Sequence, residues 1–217
     1  MKTVKLNQHH HNILSYYNLD HLPKELIQAV QFRSKELVVE ETYSFSQLYI
    51  IVTGRARVYR STQDGQSHFL CNYIYDGIIG EVELMNGSQT VESSVVAITE
   101  FECLAIPYDI CANEINTNHQ FLMTISESLA KKVRDNADNL VSLAFNTGEQ
   151  RLCSYILNNA NDDYFSDTLT EVSKLVALSY RHVLRILNQL CNDNILSKEK
   201  SGYQITNRKS LINLSGY

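Results

Sequence analysis

The sequence predicts an α+β chain: an antiparallel β-barrel or sandwich, then a long helix, then a winged helix-turn-helix. Three observations carry this. Short β-branched and aromatic runs broken by glycine recur from about residue 35 to 107. From Phe121 to Ala144 apolar residues return at steps of mostly four. Residues 168 to 206 read as a short helix, a tight turn, an amphipathic helix and a hairpin. The expected divisions are 1–115 for the barrel with a helical lead-in, 116–147 for the long helix and 148–217 for the winged unit.

The lead-in comes first. Residues 13 to 32 combine Pro23 with helical spacing of Leu22, Leu26, Ile27 and Val30, which predicts a short helical segment. The strand runs follow: ELVVEETYSF, QLYIIVTGRARVYR, SHFLCNYIY, VESSVVAITE and FECLAIP. Glycines 54, 65, 77, 80 and 87 punctuate them, and QDGQ at 63–66 reads as a hairpin turn. Phe121, Ile125, Leu129, Val133, Ala137, Leu140 and Ala144 then form one stripe on a helix over 117–145, about 40 Å long. The stripe either pairs with its copy in a second subunit or lies under the chain's own barrel. Gly148 reads as the glycine that ends this helix.

EQRLCSYILNNA is a further amphipathic helix, and NDDYFSD a polar connection. Thr168 and Glu171 have the spacing of a capping box, which starts a helix over 169–176. Ser179 is an N-cap for the next helix, LSYRHVLRIL and onward. There Val183, Ile186, Leu187 and Leu190 make one apolar face, while Arg181, Arg185, Asn188 and Asn192 lie on another. NILSKEKSGYQITN, turning around Ser201-Gly202, reads as a hairpin.

Charge supports a function for the last part. The 217 residues carry a formal charge of −5. Between Lys174 and Lys209, seven Lys/Arg face two acids, a local +5 that leaves −10 for the remainder. An acidic body with one basic patch is the asymmetry of a chain that meets an acidic polymer at one end. The five cysteines (71, 103, 111, 153, 191) show no C-x-x-C spacing, so free thiols are expected rather than disulfides or a zinc ribbon. There is no signal-peptide pattern and no run of about 18 apolar residues, which predicts a soluble cytoplasmic protein without a membrane span. His9-His10-His11 is the densest histidine group, and adjacent side chains in a flexible leader make a poor metal site. No metal and no cofactor are expected.

The order of parts, with YIIVTGRARVY, GIIGEVELMNGSQTVESSVVA and LTEVSKLVALSYRHVLRILNQLCNDNILSKEKSGYQI, resembles the Crp/Fnr family of bacterial transcription regulators over roughly residues 35 to 210. The C-terminal stretch is most similar to the family's YeiL-like branch. The resemblance implies an N-terminal antiparallel β-roll of the cyclic-nucleotide-binding type (a double-stranded β-helix), a dimerisation helix and a C-terminal winged helix-turn-helix. It also implies a homodimer formed through helix 117–145, double-stranded DNA with a two-fold symmetric operator as partner, RNA polymerase as a further partner, and no enzymatic activity.

The resemblance places an effector pocket at Gly80, Glu81, Val91, Glu92 and Ser93. In cyclic-AMP-binding members Gly80-Glu81 would open the loop that grips ribose and phosphate, and an Arg-Ser pair follows eleven and twelve positions after the glycine. Here those positions hold Val91 and Glu92. A phosphate needs a cation or a ring of amides, and losing that contact should cost about 2–5 kcal/mol, roughly thirty-fold or more. The β-roll should therefore sense a signal other than cyclic AMP, or be constitutive. Glu81 is either a ligand contact or a carboxylate bonded to loop amides. The iron–sulfur branch carries N-terminal cysteines, and this chain has none before Cys71. Haem-binding relatives use an axial His or Cys, for which His68 and Cys71 are the positions to consider.

In the reading head, the family's base-contacting positions fall on Tyr180, Arg181 and Arg185, where many relatives have Arg, Glu and Arg. Arg181 exchanges an acceptor for cytosine for a donor to guanine, and Arg185 can bind guanine through two bonds. Tyr180 and His182 suit phosphate or shape contacts. Thr168, Thr170 and Ser179 lie at helix starts that can hold phosphates, and Lys198 and Lys200 lie on the wing. Ala177-Leu178 stand where such motifs often have a turn glycine. A β-barrel metalloenzyme of the cupin type would need several histidines inside the barrel, yet only His68 lies between residues 35 and 107. A winged domain that binds another protein is the remaining alternative.

Overall fold

The computed structural model describes residues 1–61, 67–69 and 74–216, with the backbone alone at 61 and 67–69. The chain divides into two compact units, Met1–Arg134 and Asp135–Tyr217.

The first unit begins with β1 (Lys2–Val4) and α1 (Gln8–Tyr16). Strands β2 (Gln28–Phe32), β3 (Leu37–Val39), β4 (Gln47–Thr53), β5 (Ala56–Ser61), β6 (Ser67–Phe69) and β7 (Ile78–Ile79) follow. Then come α2 (Glu81–Asn86), β8 (Ser94–Ala97), β9 (Phe101–Pro107), α3 (Tyr108–Thr117) and α4 (His119–Phe145), the last of which runs into the second unit. All strand pairs are antiparallel, in one sheet of order β1-β2-β9-β4-β7 and another of order β3-β8-β5-β6.

Alternation along FECLAIP explains the layering. Phe101, Cys103 and Ala105 turn inward, where they share a core with Val38, Ala56, Val95 and Ala97 of the other sheet. Leu104 and Ile106 turn outward into a second core with Leu14 of α1, Ile115 of α3, and Phe121 and Ile125 of α4. The two sheets thus form the expected roll, and helices cover the outer face of the five-stranded sheet. At the β4–β5 turn, Gly54 has φ +93°, and a Cβ there would stand 2.1 Å from the Glu100 carbonyl oxygen.

Three expectations for this unit need correction or placement. Residues 28–32 form strand β2 rather than part of a helical lead-in. It lies between β1 and β9, with Ala29 in the outer core and Val30 and Phe32 in the inner one, so both faces are apolar and the period of two is hidden. The histidine triplet is not in a flexible leader: it opens α1. His10 is buried. Its Nδ1 accepts the Asn7 amide at 3.1 Å, completing a capping box, and its Nε2 therefore donates to Glu102 Oε1 at 2.5 Å. The predicted QDGQ turn and Cys71 lie outside the described residues, as does the side chain of His68.

In the second unit, α5 (Gly148–Asn159), β10 (Tyr164–Phe165), α6 (Leu169–Leu175), α7 (Tyr180–Asn192), β11 (Leu196–Glu199), β12 (Gly202–Ile205) and α8 (Arg208–Ser215) follow the end of α4. Gly148 does not terminate the long helix. α4 ends at Phe145, and Gly148 is the first residue of α5, capped by Thr147 in a box with Gln150. Its lack of a side chain serves packing, since a Cβ would fall 2.6 Å from Leu178 Cδ2. The supposed polar connection contains a strand: Asp162 and Asp163 take left-handed φ of 48° and 60°, and β10 then pairs with β12 and buries Phe165. Helix α8 had no counterpart in the sequence reading. It buries Leu211, and its Ser215 carbonyl accepts from Ser154 Oγ on α5 at 3.3 Å.

Candidate nucleic-acid interface and sensor cavity

Helix α7 is amphipathic in the sense its sequence predicts. Val183, Ile186, Leu187 and Leu190 are buried, whereas Tyr180, Arg181, Arg185, Asn188 and Asn192 are exposed. Ser179 caps it, its Oγ accepting the His182 amide at 3.2 Å. His182 is half-buried, and its Nε2 accepts from the Arg185 guanidinium at 2.7 Å. Arg185 is therefore held along the helix surface by a neutral imidazole, with further donors left for a partner.

The turn into α7 holds one strained residue, in the Ala177-Leu178 pair that replaces the usual turn glycine, and one brace that sequence reasoning missed. Ala177 adopts φ +51°, the left-handed geometry for which a glycine is the usual choice. Arg151 of α5 braces the same turn: Nε donates to the Val176 carbonyl at 2.8 Å, and NH1 to the Asn146 carbonyl at 2.7 Å. Carbonyls at the ends of α6 and α4 thereby gain a charged donor, which also suits the negative end of each helix dipole. An arginine twenty-nine positions before the first residue of α7 carries no sequence mark of this task.

Thr168 precedes α6 as expected, but its side chain makes no capping bond, so the predicted capping box is absent there. Thr168 and Thr170 are both exposed at that helix start. The wing pairs Lys198 with Tyr203 and Glu199 with Gly202, and Lys198 and Lys200 are exposed. A Cβ on Gly202 would stand 2.3 Å from the Phe165 carbonyl oxygen, so the β10 backbone requires glycine.

In the first unit a cavity of about 120 Å³ lies between α2 and the roll. All five expected pocket residues, Gly80, Glu81, Val91, Glu92 and Ser93, line it, together with Val39, Val58, Ile79 and Val95. Gly80 has φ +99° and is the N-cap residue before α2, where a Cβ would press on Phe45 at 2.8 Å. Glu81 is not a loop carboxylate held by amides. It is the first residue of α2, buried, and forms an ion pair with Lys132 of α4. Lys132 also donates to the Ile78 carbonyl at 3.3 Å. Glu83 Oε1 accepts the Glu92 amide at 2.8 Å, and Glu92 Oε1 accepts from Asn86 Nδ2 at 2.6 Å.

Cys103, Cys111 and Cys153 are buried free thiols and Cys191 is partly covered. Burial pushes all four thiols up, Cys153 to about 12, so none has thiolate character near neutrality. Among the described residues no group of three His, Cys, Asp or Glu could hold a metal ion, and no helix is long and apolar enough to cross a membrane.

Residues 29–118 match the cyclic nucleotide-binding domain. Over 187 residues the chain is 32% identical to the regulatory protein YeiL of Escherichia coli O157:H7, covering 85% of this chain and 84% of that one. The chain belongs to the Crp/Fnr family. It is a transcription regulator of that family, near YeiL, and not an enzyme. The cAMP-activated global transcriptional regulator CRP of Salmonella typhimurium is 27% identical over 177 residues, covering 77% of this chain and 84% of that one. Solved Crp/Fnr structures share the fold. The c-di-GMP responsive global regulator CLP of Xanthomonas campestris has a TM-score of 0.71 at 18% identity, covering 83% of this chain and 94% of that one. A CRP/FNR-family transcriptional regulator of Thermus thermophilus has a TM-score of 0.72 at 15% identity, covering 87% and 98%.

Proposed function

We propose that this Crp/Fnr regulator is a cytoplasmic homodimer that binds a two-fold symmetric DNA operator, and that its β-roll responds to a signal other than cyclic AMP or acts constitutively. The observation that carries the reading is the α7 face: Arg181 and Arg185 are exposed above a fully buried apolar stripe, with Lys198 and Lys200 exposed on the wing. In this reading Arg181 and Arg185 reach guanines. Tyr180, His182, Ser179, Thr168, Thr170 and the two wing lysines contact the phosphate backbone.

Dimerisation is supported by the second half of α4. Val133, Leu140, Val141, Leu143 and Phe145 are 45% to 81% exposed there, on a helix whose first half buries Phe121 and Ile125. A second copy would cover these residues in coiled-coil fashion. The functional division is then a sensor over 1–115, a dimer helix over 116–147 and a reader over 148–217, with RNA polymerase as a further partner. One relative is a cAMP-activated regulator and another responds to c-di-GMP, so family membership leaves the effector open. The cavity argues against cyclic AMP, because Val91 and Glu92 line it where a phosphate would need a cation.

In-vitro selection from a random duplex pool tests the reading, with sedimentation of the protein and its operator complex alongside. The expected result is enrichment of an inverted repeat with half-sites one helical turn apart, bound by a dimer. A pool that stays random, or a monomer on an asymmetric site, overturns it.

A further inference from the structure

The β-roll cavity is apolar over most of its wall and acidic at one end. Glu81 and Glu83 are 4% and 7% exposed. Their partners differ in kind. Glu83 is satisfied by the Glu92 amide, and Glu92 by the Asn86 side chain, all within α2 and the segment that follows it. Glu81 is satisfied by a cation that comes from elsewhere, the Lys132 ammonium. The Glu81 side chain is 6% exposed and that of Lys132 is 38% exposed. The carboxylate is thus fixed in the wall, while its cation reaches in from the rim on a flexible four-carbon stem.

A carboxylate this buried needs a positive partner. Lysine's ammonium is a compact point charge, so another ammonium of similar size can replace it. Three carboxylates and one ammonium line the cavity, which repels an anion and favours a cation. We propose that the cavity is a receptor for a small apolar primary amine. The amine's ammonium takes the place of Lys132 on Glu81, and its hydrocarbon body lies among Val39, Val58, Val91 and Val95. This rests on the reading of the β-roll as a sensor and names the ligand class for it. Exchange also gives the ligand a mechanical effect: Lys132 is released, and the link from α4 to α2 and to the Ile78 carbonyl is broken.

Lys132 is a tethered competitor at an effective concentration of about millimolar, which weakens capture of a free amine. Removing it should tighten binding. The test is calorimetric titration of the full chain at neutral pH with cyclohexylamine, cyclohexanecarboxylate and cyclic AMP. Saturable binding of the amine alone is expected, tightened about ten-fold or more by Lys132→Met and lost in Glu81→Gln. Preference for either anion, absence of amine binding, or no tightening in Lys132→Met overturns the proposal. Should Lys132→Met fail to fold, labelled valine methyls in the unaltered chain decide: Val58 and Val95 must shift with the amine and not with the carboxylate, and static signals overturn it. Operator affinity, measured without amine, is a separate result. A chain that binds no DNA removes the regulator reading and leaves the titration standing, whereas a DNA-binding chain indifferent to the amine removes this inference alone.

Discussion

If α7 is seated by its leucines and reads DNA with its arginines, stability and sequence preference must separate by residue. Leu187 is 0% exposed. Leu187→Ala should cost about 2.7–5 kcal/mol, the lost transfer energy plus the cavity left behind. The unit around it, Asp135–Tyr217, is roughly eighty residues, for which about 0.05–0.15 kcal/mol per residue gives a total of about 4–12 kcal/mol. The variant therefore loses about a fifth of that stability at the least, and its melting transition should fall by more than about 10 °C. Arg185 is exposed, and among the described residues its bond runs along its own helix, to His182. Arg185→Ala should shift stability by no more than about 0.5 kcal/mol. On DNA the ranking reverses. A bidentate guanine contact is worth about 1–3 kcal/mol of discrimination. Two half-sites give about 2–6 kcal/mol, a roughly thirty-fold to twenty-thousand-fold fall in preference for operator over scrambled duplex. Calorimetric melting and fluorescence anisotropy at one fixed salt concentration measure the two quantities. If Arg185→Ala melts as early as Leu187→Ala, or keeps the operator preference of the parent, the division of labour assigned to the helix is wrong.

Two further outcomes follow from local geometry. Burial pushes the Glu102 carboxyl up, but hydrogen bonds from Gln31 and His10, at 2.6 and 2.5 Å, together outweigh it and hold the group below the usual carboxylate range. The bonded carboxylate therefore stabilises the fold above the unfolded value of about 4.3, and that contribution is lost as pH falls through the lower folded value. Melting curves of the parent and Glu102→Gln should differ by about 1–3 kcal/mol near pH 6 to 7 and converge towards pH 3; a gap that persists in acid contradicts the assignment. At the turn before α7, Ala177→Gly should raise the melting temperature, because the left-handed geometry strains alanine by about 1 kcal/mol or more and glycine not at all. A lowered transition would mean that chain entropy outweighs the strain.

The parts legible in the sequence were those set by local periodicity and capping. The stripe of α7, its cap at Ser179 and the hairpin around Ser201-Gly202 all announce themselves within a dozen residues. Long-range pairing left no such trace. Strand β2 is apolar on both faces because each face packs into one of the two cores, so it shows neither a period of two nor a clear turn boundary. Gly148 was misjudged because a glycine after a helix is equally consistent with an ending and with a close packing contact, and here Leu178 decides. At the β-roll cavity the pocket positions are readable from the resemblance, yet the cation that answers Glu81 lies fifty-one positions away on another helix. Nothing in the spacing of a lysine on α4 distinguishes it from a solvated one; only the fold brings it to the cavity. Arg151 is similar: its role depends on two carbonyl ends that tertiary packing delivers to it.

The shortness of β1 has a consequence for how this chain is handled. Three residues, begun by Lys2 and followed by Lys5, form the rim of the five-stranded sheet and occupy the free side of β2 through the pairs Lys2–Gln31, Thr3–Val30 and Val4–Ala29. A short charged rim offers a poor template to another polypeptide. Trimming the first seven residues would instead leave a five-residue strand, with Ala29, Val30 and Phe32 as its apolar residues, unpaired at the border, and aggregation of the trimmed protein would then reflect that bared border rather than any property of its C-terminal unit.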